Sequence, residues 1–275
     1  MKNKFLYSAL LLPCLMVMYK SYARKIIHID SIPQYKGYTL AWHDEFNEKK
    51  LNKKVWNYEI GNHKGWGNNE LEYYTSSPKN VYISKGILVM EARKENCDSF
   101  HYTSARITTQ NKKEFTYGRI DMRAKLPVSS GMWPALWMLG SNVAKVNWPE
   151  CGEIDIMELV GKNPQQIVGS FHWEKADQTE GTINNRYNLI NEDFSKNFHL
   201  YSLIRKKDSM QILVDNIHYV KVSRQDFKDG SYPFDNPFFL LFNVAVGGDW
   251  PGNPDSTTKF PQRMLIDYVR YYKPL

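Results

Sequence analysis

The sequence predicts an all-β sandwich, and three observations carry the prediction. Period-two alternation of apolar and polar residues recurs along the chain, whereas no convincing stripe at helical spacing is found beyond the N-terminal segment. Short strand-like runs are punctuated by Gly, Pro and Asn, the residues that supply turns. Aromatics make up 14% of the 275 residues, with 18 Tyr and 8 Trp, a mix that suits pleated half-buried surfaces rather than disorder.

In chain order, the first feature is a targeting segment. Lys2 and Lys4 precede the apolar run Phe5–Met18, and Ser21-Tyr22-Ala23 supplies the small residues a signal peptidase reads. The expected signal peptide is 1–23, and the destination is secreted or periplasmic. The apolar run is short for a bilayer span, and Pro13 stands where lipid attachment at Cys14 would want a small residue. No linker, composition shift or repeat divides the remainder of the chain, so 24–275 is expected to be one domain, of a size that suits an enzyme.

Arg119–Leu126 alternates charged and apolar residues and predicts a strand with one wet face and one core face. Gly131–Gly140 reads "GMWPALWMLG", in which Trp133 and Trp137 share a face if the run is extended. Pro134 points to the start of an edge strand there. Leu200–Arg205 and Met210–Val214 form a hairpin, and Asp215-Asn216 turns the chain into Ile217–Val222. Phe238–Val246 is a continuous apolar run between Pro237 and Gly247-Gly248, as a fully buried strand should be, and Met264–Tyr272 closes the chain.

Charge excludes one class of function. The formal balance is +7, but three lysines belong to 1–23, which leaves 33 basic against 29 acidic residues. That balance, with no Lys/Arg block, gives nucleic acid nothing to bind. Cys97 and Cys151 remain after cleavage, and Cys151 is expected as a buried free thiol. No CxxC, HExxH or His-rich tract supports a catalytic transition metal.

The most informative stretch is "PECGEIDIMELV", 149–160. Glu153, Asp155 and Glu158 interrupt apolar residues at spacings of two and then three. A helix turns Glu153 and Glu158 apart, and a regular strand sends Glu158 to the face opposite the other two. A β-bulge absorbing Ile156 or Met157 returns all three to one face. The two glutamates then behave as positions four apart, with backbones roughly 13 Å apart. Side chains leaning inward bring the carboxyl groups to roughly 5 Å, the separation at which one carboxylate attacks a sugar and the other protonates the leaving oxygen. A solvated edge or a cation site fits the same three acids.

The stretch "GEIDIMELVG" resembles the catalytic signature of glycoside hydrolase family 16 in its bulged, laminarinase-like form. Further similar blocks occur in the family's order: "LAWHDEFN" (40–47), "GWGNNELEYYT" (65–75), "TSARITT" (103–109), "YGRIDMRAKLP" (117–127), "GMWPALWMLG" (131–140), "GSFHW" (169–173), "FNVAVGGDWPGNPD" (242–255) and "FPQRMLIDYVRYY" (260–272). The resemblance implies a jelly roll of two curved antiparallel sheets with a concave cleft. It also implies endo-hydrolysis of β-linked polysaccharide with retention, in which Glu153 is the nucleophile, Glu158 the general acid/base and Asp155 the residue that holds the nucleophile. The implied substrate is a laminarin-type or mixed β-1,3/1,4-glucan, with agar, carrageenan or xyloglucan as rivals. A non-catalytic glucan-binding relative would have lost the acids.

Sugar rings present flat C–H faces edged by hydroxyls, so the cleft should pair aromatic platforms with polar groups. Trp133, Trp137, Trp148 and Trp250 are the platform candidates. Arg106 alternates with Ala105 and Ile107 and so points away from the core. With Asn68 and His172 it completes the cleft residues that the resemblance implies. Catalysis on this reading needs no cofactor. One structural calcium is implied at Asp267, with main-chain oxygens near Glu45 and Gly86, although Ser84-Lys85-Gly86 lacks the acid common before the glycine. The implied partner is β-glucan alone, with no stable protein partner and a monomeric chain.

Overall fold

The computed structural model describes residues 32–275. The predicted signal peptide, with Cys14, lies outside the described residues, as do 24–31 of the predicted domain. The described chain forms, in order, β1 (Tyr38–Asp44), β2 (Asn57–Tyr58), β3 (Glu72–Tyr74), β4 (Val81–Ser84), β5 (Ile87–Cys97), β6 (Phe100–Ser104), β7 (Arg106–Thr108), β8 (Gly118–Lys125) and β9 (Met132–Gly140). It continues through β10 (Glu153–Leu159), β11 (Gln166–Glu174), β12 (Glu180–Asn188), β13 (His199–Lys206), β14 (Ser209–Val214), β15 (Ile217–Ser223), β16 (Phe238–Val246) and β17 (Gln262–Pro274). A single turn of α-helix, α1 (Val143–Val146), precedes the acidic strand.

The strands make two sheets, and the architecture is the predicted sandwich of jelly-roll type. One sheet runs β12-β11-β10-β9-β16-β7-β2. The other runs β15-β14-β13-β8-β17-β5-β6-β3, with β1 added on β17 and β4 on β5. Pairing is antiparallel except between β3 and β6. Between the sheets, Leu136, Met138, Ile154, Ile156, Phe242 and Val244 meet Met122, Ala124, Leu203, Met90 and Ile266, all at most 2% exposed. Alternate residues of each strand are thereby committed to the core, and the other set of the first sheet is left for the cleft.

The predicted hairpin and final strand are present, and every residue of Phe238–Val246 is buried. Two expectations are corrected. The face of β8 expected to be wet is not wet at Arg119 and Asp121, which are 5% and 1% exposed. β8 is central, between β13 and β17, and Tyr35 covers it. The Tyr35 hydroxyl donates to Asp121 Oδ2 at 2.7 Å and its ring lies 3.9 Å from the Arg119 guanidinium carbon. Pro134 does not open an edge strand either, because β9 lies between β10 and β16. It is tolerated because the ladder to β10 ends at Ala135↔Glu158, one residue short of the proline.

Candidate active site

The bulge in β10 is where the acid spacing places it. Asp155 pairs with Ser170 of β11 and Glu158 with Val168, so three steps on one strand match two on the other. Against β9 the shift falls between Asp155 and Met157. Glu153, Asp155 and Glu158 therefore stand in row with Leu139, Trp137 and Ala135 on one side and with His172, Ser170 and Val168 on the other. All nine line one cavity of about 670 Å³. From the other sheet, the Tyr219 hydroxyl donates to the Ile156 carbonyl at 2.5 Å, satisfying a main-chain group at the bulge. Gly169 gives that hydroxyl room, since a Cβ there would lie 2.8 Å from it.

The three acids are held in distinct ways. Glu158 Oε1 accepts the Trp133 indole N–H at 2.9 Å. Burial and then the Asp155 charge outweigh that bond and push the Glu158 carboxyl up to about 8. Asp155 is 3% exposed, and burial lifts it to about 8 despite a hydrogen bond with Glu153. Glu153 is raised well above the usual range by burial and by Asp155. Glu153 and Asp155 thus behave as a coupled pair reluctant to carry two charges. His172 Nε2 lies 3.0 Å from Asp155 Oδ2, and its Nδ1 faces Glu180 Oε1 at 2.6 Å. For Glu180, hydrogen bonds from Thr182 and His172 outweigh burial and keep its carboxyl below the usual range.

All ten predicted catalytic and cleft residues line this one cavity: Glu153, Asp155, Glu158, Asn68, Arg106, Trp133, Trp137, Trp148, His172 and Trp250. Trp133 and Trp137 share a face, as expected. Trp250 packs edge-on to Trp133 with centroids 5.3 Å apart, and Trp148 tilts toward His172 at the rim, 46% exposed. The Arg106 guanidinium sits between the Trp66 and Trp137 rings, 4.3 and 4.9 Å from their centroids, and is paired with Glu59. Sequence reading missed Trp66, Glu70, Asn243, Glu180, Thr182, Asn184 and Arg186, which also line the cavity. Asn243 did carry a signal, as the one polar residue inside an apolar run. Thr182, Asn184 and Arg186 alternate along β12, but nothing local says which sheet that strand joins.

The predicted calcium residues meet around one irregularity of β17. Its neighbour on one edge changes from β5, ending at Ile266↔Leu88, to β1, beginning at Val269↔Asp44. Asp267 occupies that gap, Glu45 follows Asp44, and Gly86 precedes β5. Asp267 Oδ2 accepts Arg123 at 2.7 Å, and the Glu45 side chain is held by Arg270 at 2.7 and 3.0 Å. A carboxylate beside main-chain oxygens is a donor set suited to a hard cation. Cys97 and Cys151 are both free, and burial, reinforced by the Glu153 charge, pushes the Cys151 thiol up to about 12.

Carboxyl groups able to cleave an acetal and flat indoles able to hold sugar rings share one sheet of a jelly roll, which defines a carbohydrate-cleaving enzyme. Comparison with known proteins gives the class its family. The sequence profile described as Glycosyl hydrolases family 16 matches residues 67–270, and the chain belongs to that family. A beta-glucanase of Rhodothermus marinus is 38% identical over 255 residues, covering 89% of this chain and 87% of its own length. A glucan endo-1,3-beta-glucosidase A1 of Niallia circulans is 36% identical over 264 residues, but this chain spans only 39% of that protein. Among solved structures, the laminarinase catalytic domain of Thermotoga maritima MSB8 superposes with a TM-score of 0.82 at 45% identity, over 87% of this chain and all of that one.

Proposed function

We propose that the protein is an endo-β-glucanase that hydrolyses β-1,3 linkages of laminarin-type or mixed β-1,3/1,4-glucans with retention at the anomeric carbon. The observation that carries it is the bulged row of Glu153, Asp155 and Glu158 on the cleft floor, with the Trp133 indole donating to Glu158. Relatives named as β-1,3-glucan hydrolases support the substrate class.

The chemistry depends on who holds the proton. Glu158, pushed to about 8, enters neutral solution protonated, and Trp133 occupies its Oε1. Its proton passes to the glycosidic oxygen as the Glu153 carboxylate attacks the anomeric carbon and the leaving sugar departs. Water then gives a proton to Glu158 and attacks the same carbon, releasing Glu153 as carboxylate. Between them, Glu153 and Asp155 retain one proton. Attack by Glu153 requires that this proton be held on Asp155, against which His172, oriented by Glu180, is placed. These side chains supply nucleophile, acid and base, so the reaction as written needs no cofactor.

Reducing-end release on laminarin, barley mixed-linkage glucan and agarose tests the reading, with Glu153→Gln as control. Release from laminarin that disappears in the control is the expected result. Cleavage of agarose alone overturns the substrate, and binding without cleavage makes the chain a glucan-binding protein. Export rests on Lys2, Lys4 and the Phe5–Met18 run, and a mature N-terminus other than residue 24 overturns the cleavage site. A monomer and a stabilising calcium at Asp267, with main-chain oxygens of Glu45 and Gly86, complete the proposal; sedimentation and metal analysis test them.

A further inference from the structure

A second acidic pair lies on the β7 side of the cleft, outside the catalytic row. Glu70 lines the cavity and Glu72 opens β3 behind it, at 6% and 0% exposure. Glu72 Oε2 accepts the Val246 backbone N–H at 2.7 Å, while Oε1 is sealed from water with no donor. Glu70 accepts the Asn68 amide on Oε1 at 3.3 Å and the Tyr74 hydroxyl on Oε2 at 3.2 Å. Tyr74 in turn accepts Asn243 Nδ2 at 3.2 Å, and Asn243 Oδ1 accepts the Trp137 indole at 2.8 Å. Trp137 carries one face of Arg106. One hydrogen-bonded chain therefore runs from the back of β3 to the sugar platform.

Two adjacent buried carboxylates cannot both be ionised, and a buried acceptor oxygen without a donor is costly. A single proton on Glu72 Oε1 answers both, since it turns the sealed, unpartnered oxygen into a donor toward the neighbouring carboxylate of Glu70. We propose that Glu70 and Glu72 form a one-proton carboxyl–carboxylate pair, Glu72 donating to Glu70, which positions Asn68 and the Trp137–Arg106 platform for sugar binding. Burial and then the Glu70 charge raise the Glu72 carboxyl well above the usual range, in agreement. The other charged groups nearby are otherwise engaged. Arg106 of β7 pairs with Glu59, and Asp249 beyond β16 accepts Asn69 at 3.0 Å. Val246 and Asn243 face the pair from β16 without charge. Glutamine in place of Glu72 would reproduce the bonds permanently, with its oxygen toward Val246 and its amide toward Glu70.

The inference rests on the cleft's being a sugar site, so its test has one readout that needs no sugar. In a Glu153→Gln background, infrared difference spectra at pH 7 should show one protonated-carboxyl band lost on Glu72→Gln. In the same background, laminarihexaose affinity measured by calorimetry should stay within about twofold for Glu72→Gln and fall about tenfold or more for Glu72→Ala, the usual cost of unpairing a buried group. The parent's affinity should weaken toward alkaline pH as Glu72 ionises, and that of Glu72→Gln should not. An unchanged carboxyl band, or a loss on Glu72→Gln as deep as that on Glu72→Ala, overturns the pair. Should Glu72→Ala not fold, Glu72→Gln and the infrared band still decide. Should the hexaose bind no variant, the substrate reading fails while the band still judges the pair.

Discussion

The two sheets bury charge in opposite ways. In the outer sheet most buried charges have a partner of the other sign, with Arg205 of β13 and Glu72 of β3 as exceptions. Arg119 Nε donates to Asp121 at 2.7 Å, and Arg270 grips both oxygens of Glu45. In the cleft sheet, buried Asp155 lies between half-buried Glu153 and Glu158, with one histidine among them. Opposite signs in contact offset part of the penalty of burial and keep both groups charged. Like signs in contact keep the penalty, and the protein meets it by retaining protons, which is what acid catalysis needs.

Mutation sharpens the contrast. Glu158→Gln should cost about 10²–10⁴ in kcat on laminarin, the usual worth of a general acid. It should leave Tm at neutral pH no lower than the parent's, since it removes an acid the fold prefers uncharged. A large fall in Tm would make Glu158 a structural residue and erase the difference between the sheets. Glu45→Gln should do the reverse. Removing one member of a buried pair leaves Arg270 uncompensated and costs about 3–5 kcal/mol of stability by denaturant unfolding. kcat of the folded fraction should be unchanged.

Chelation comes next in size. Calcium at a hundredfold excess over its Kd would add about 2.7 kcal/mol, so EDTA should lower Tm and calcium restore it, with activity at 25 °C intact. A Tm indifferent to EDTA removes the calcium.

The smallest effect is in pH. As the proposed general acid Glu158 acts in its protonated form, so kcat should fall about tenfold per unit above about 8, where burial places its carboxyl. The same shifts act on stability with a defined sign. Acids whose folded pKa is raised favour the fold only while protonated, so their contribution declines as pH rises from the ordinary carboxyl range toward about 8. A Glu158→Gln variant should lose part of that decline. Equal pH slopes for the two proteins would assign the titration elsewhere.

Local spacing was enough for much of this. Acids at intervals of two and three fit one face of no straight element, so the β10 bulge was legible, and the unbroken apolar run of β16 announced a buried strand. Where a feature depends on what covers it, spacing is silent. The alternation in β8 reads the same whether its charged face meets water or Tyr35, which is 86 residues away from Asp121. Pro134 signals an absent backbone donor, yet only the length of the β10 ladder shows that none is wanted there.

By itself, then, the sequence determined the sheet-forming pattern, the bulge, the three acids on one face and the shared face of Trp133 and Trp137, because each arises from backbone geometry within a dozen residues. Tertiary structure decided the rest. It set His172 opposite Glu153, closed the bulge with Tyr219, and linked Glu70 through Tyr74 and Asn243 to Trp137. It also chose which buried charges would be neutralised and which would keep a proton. Those outcomes depend on burial and on neighbours brought from distant strands, and both exist only once the two sheets have packed.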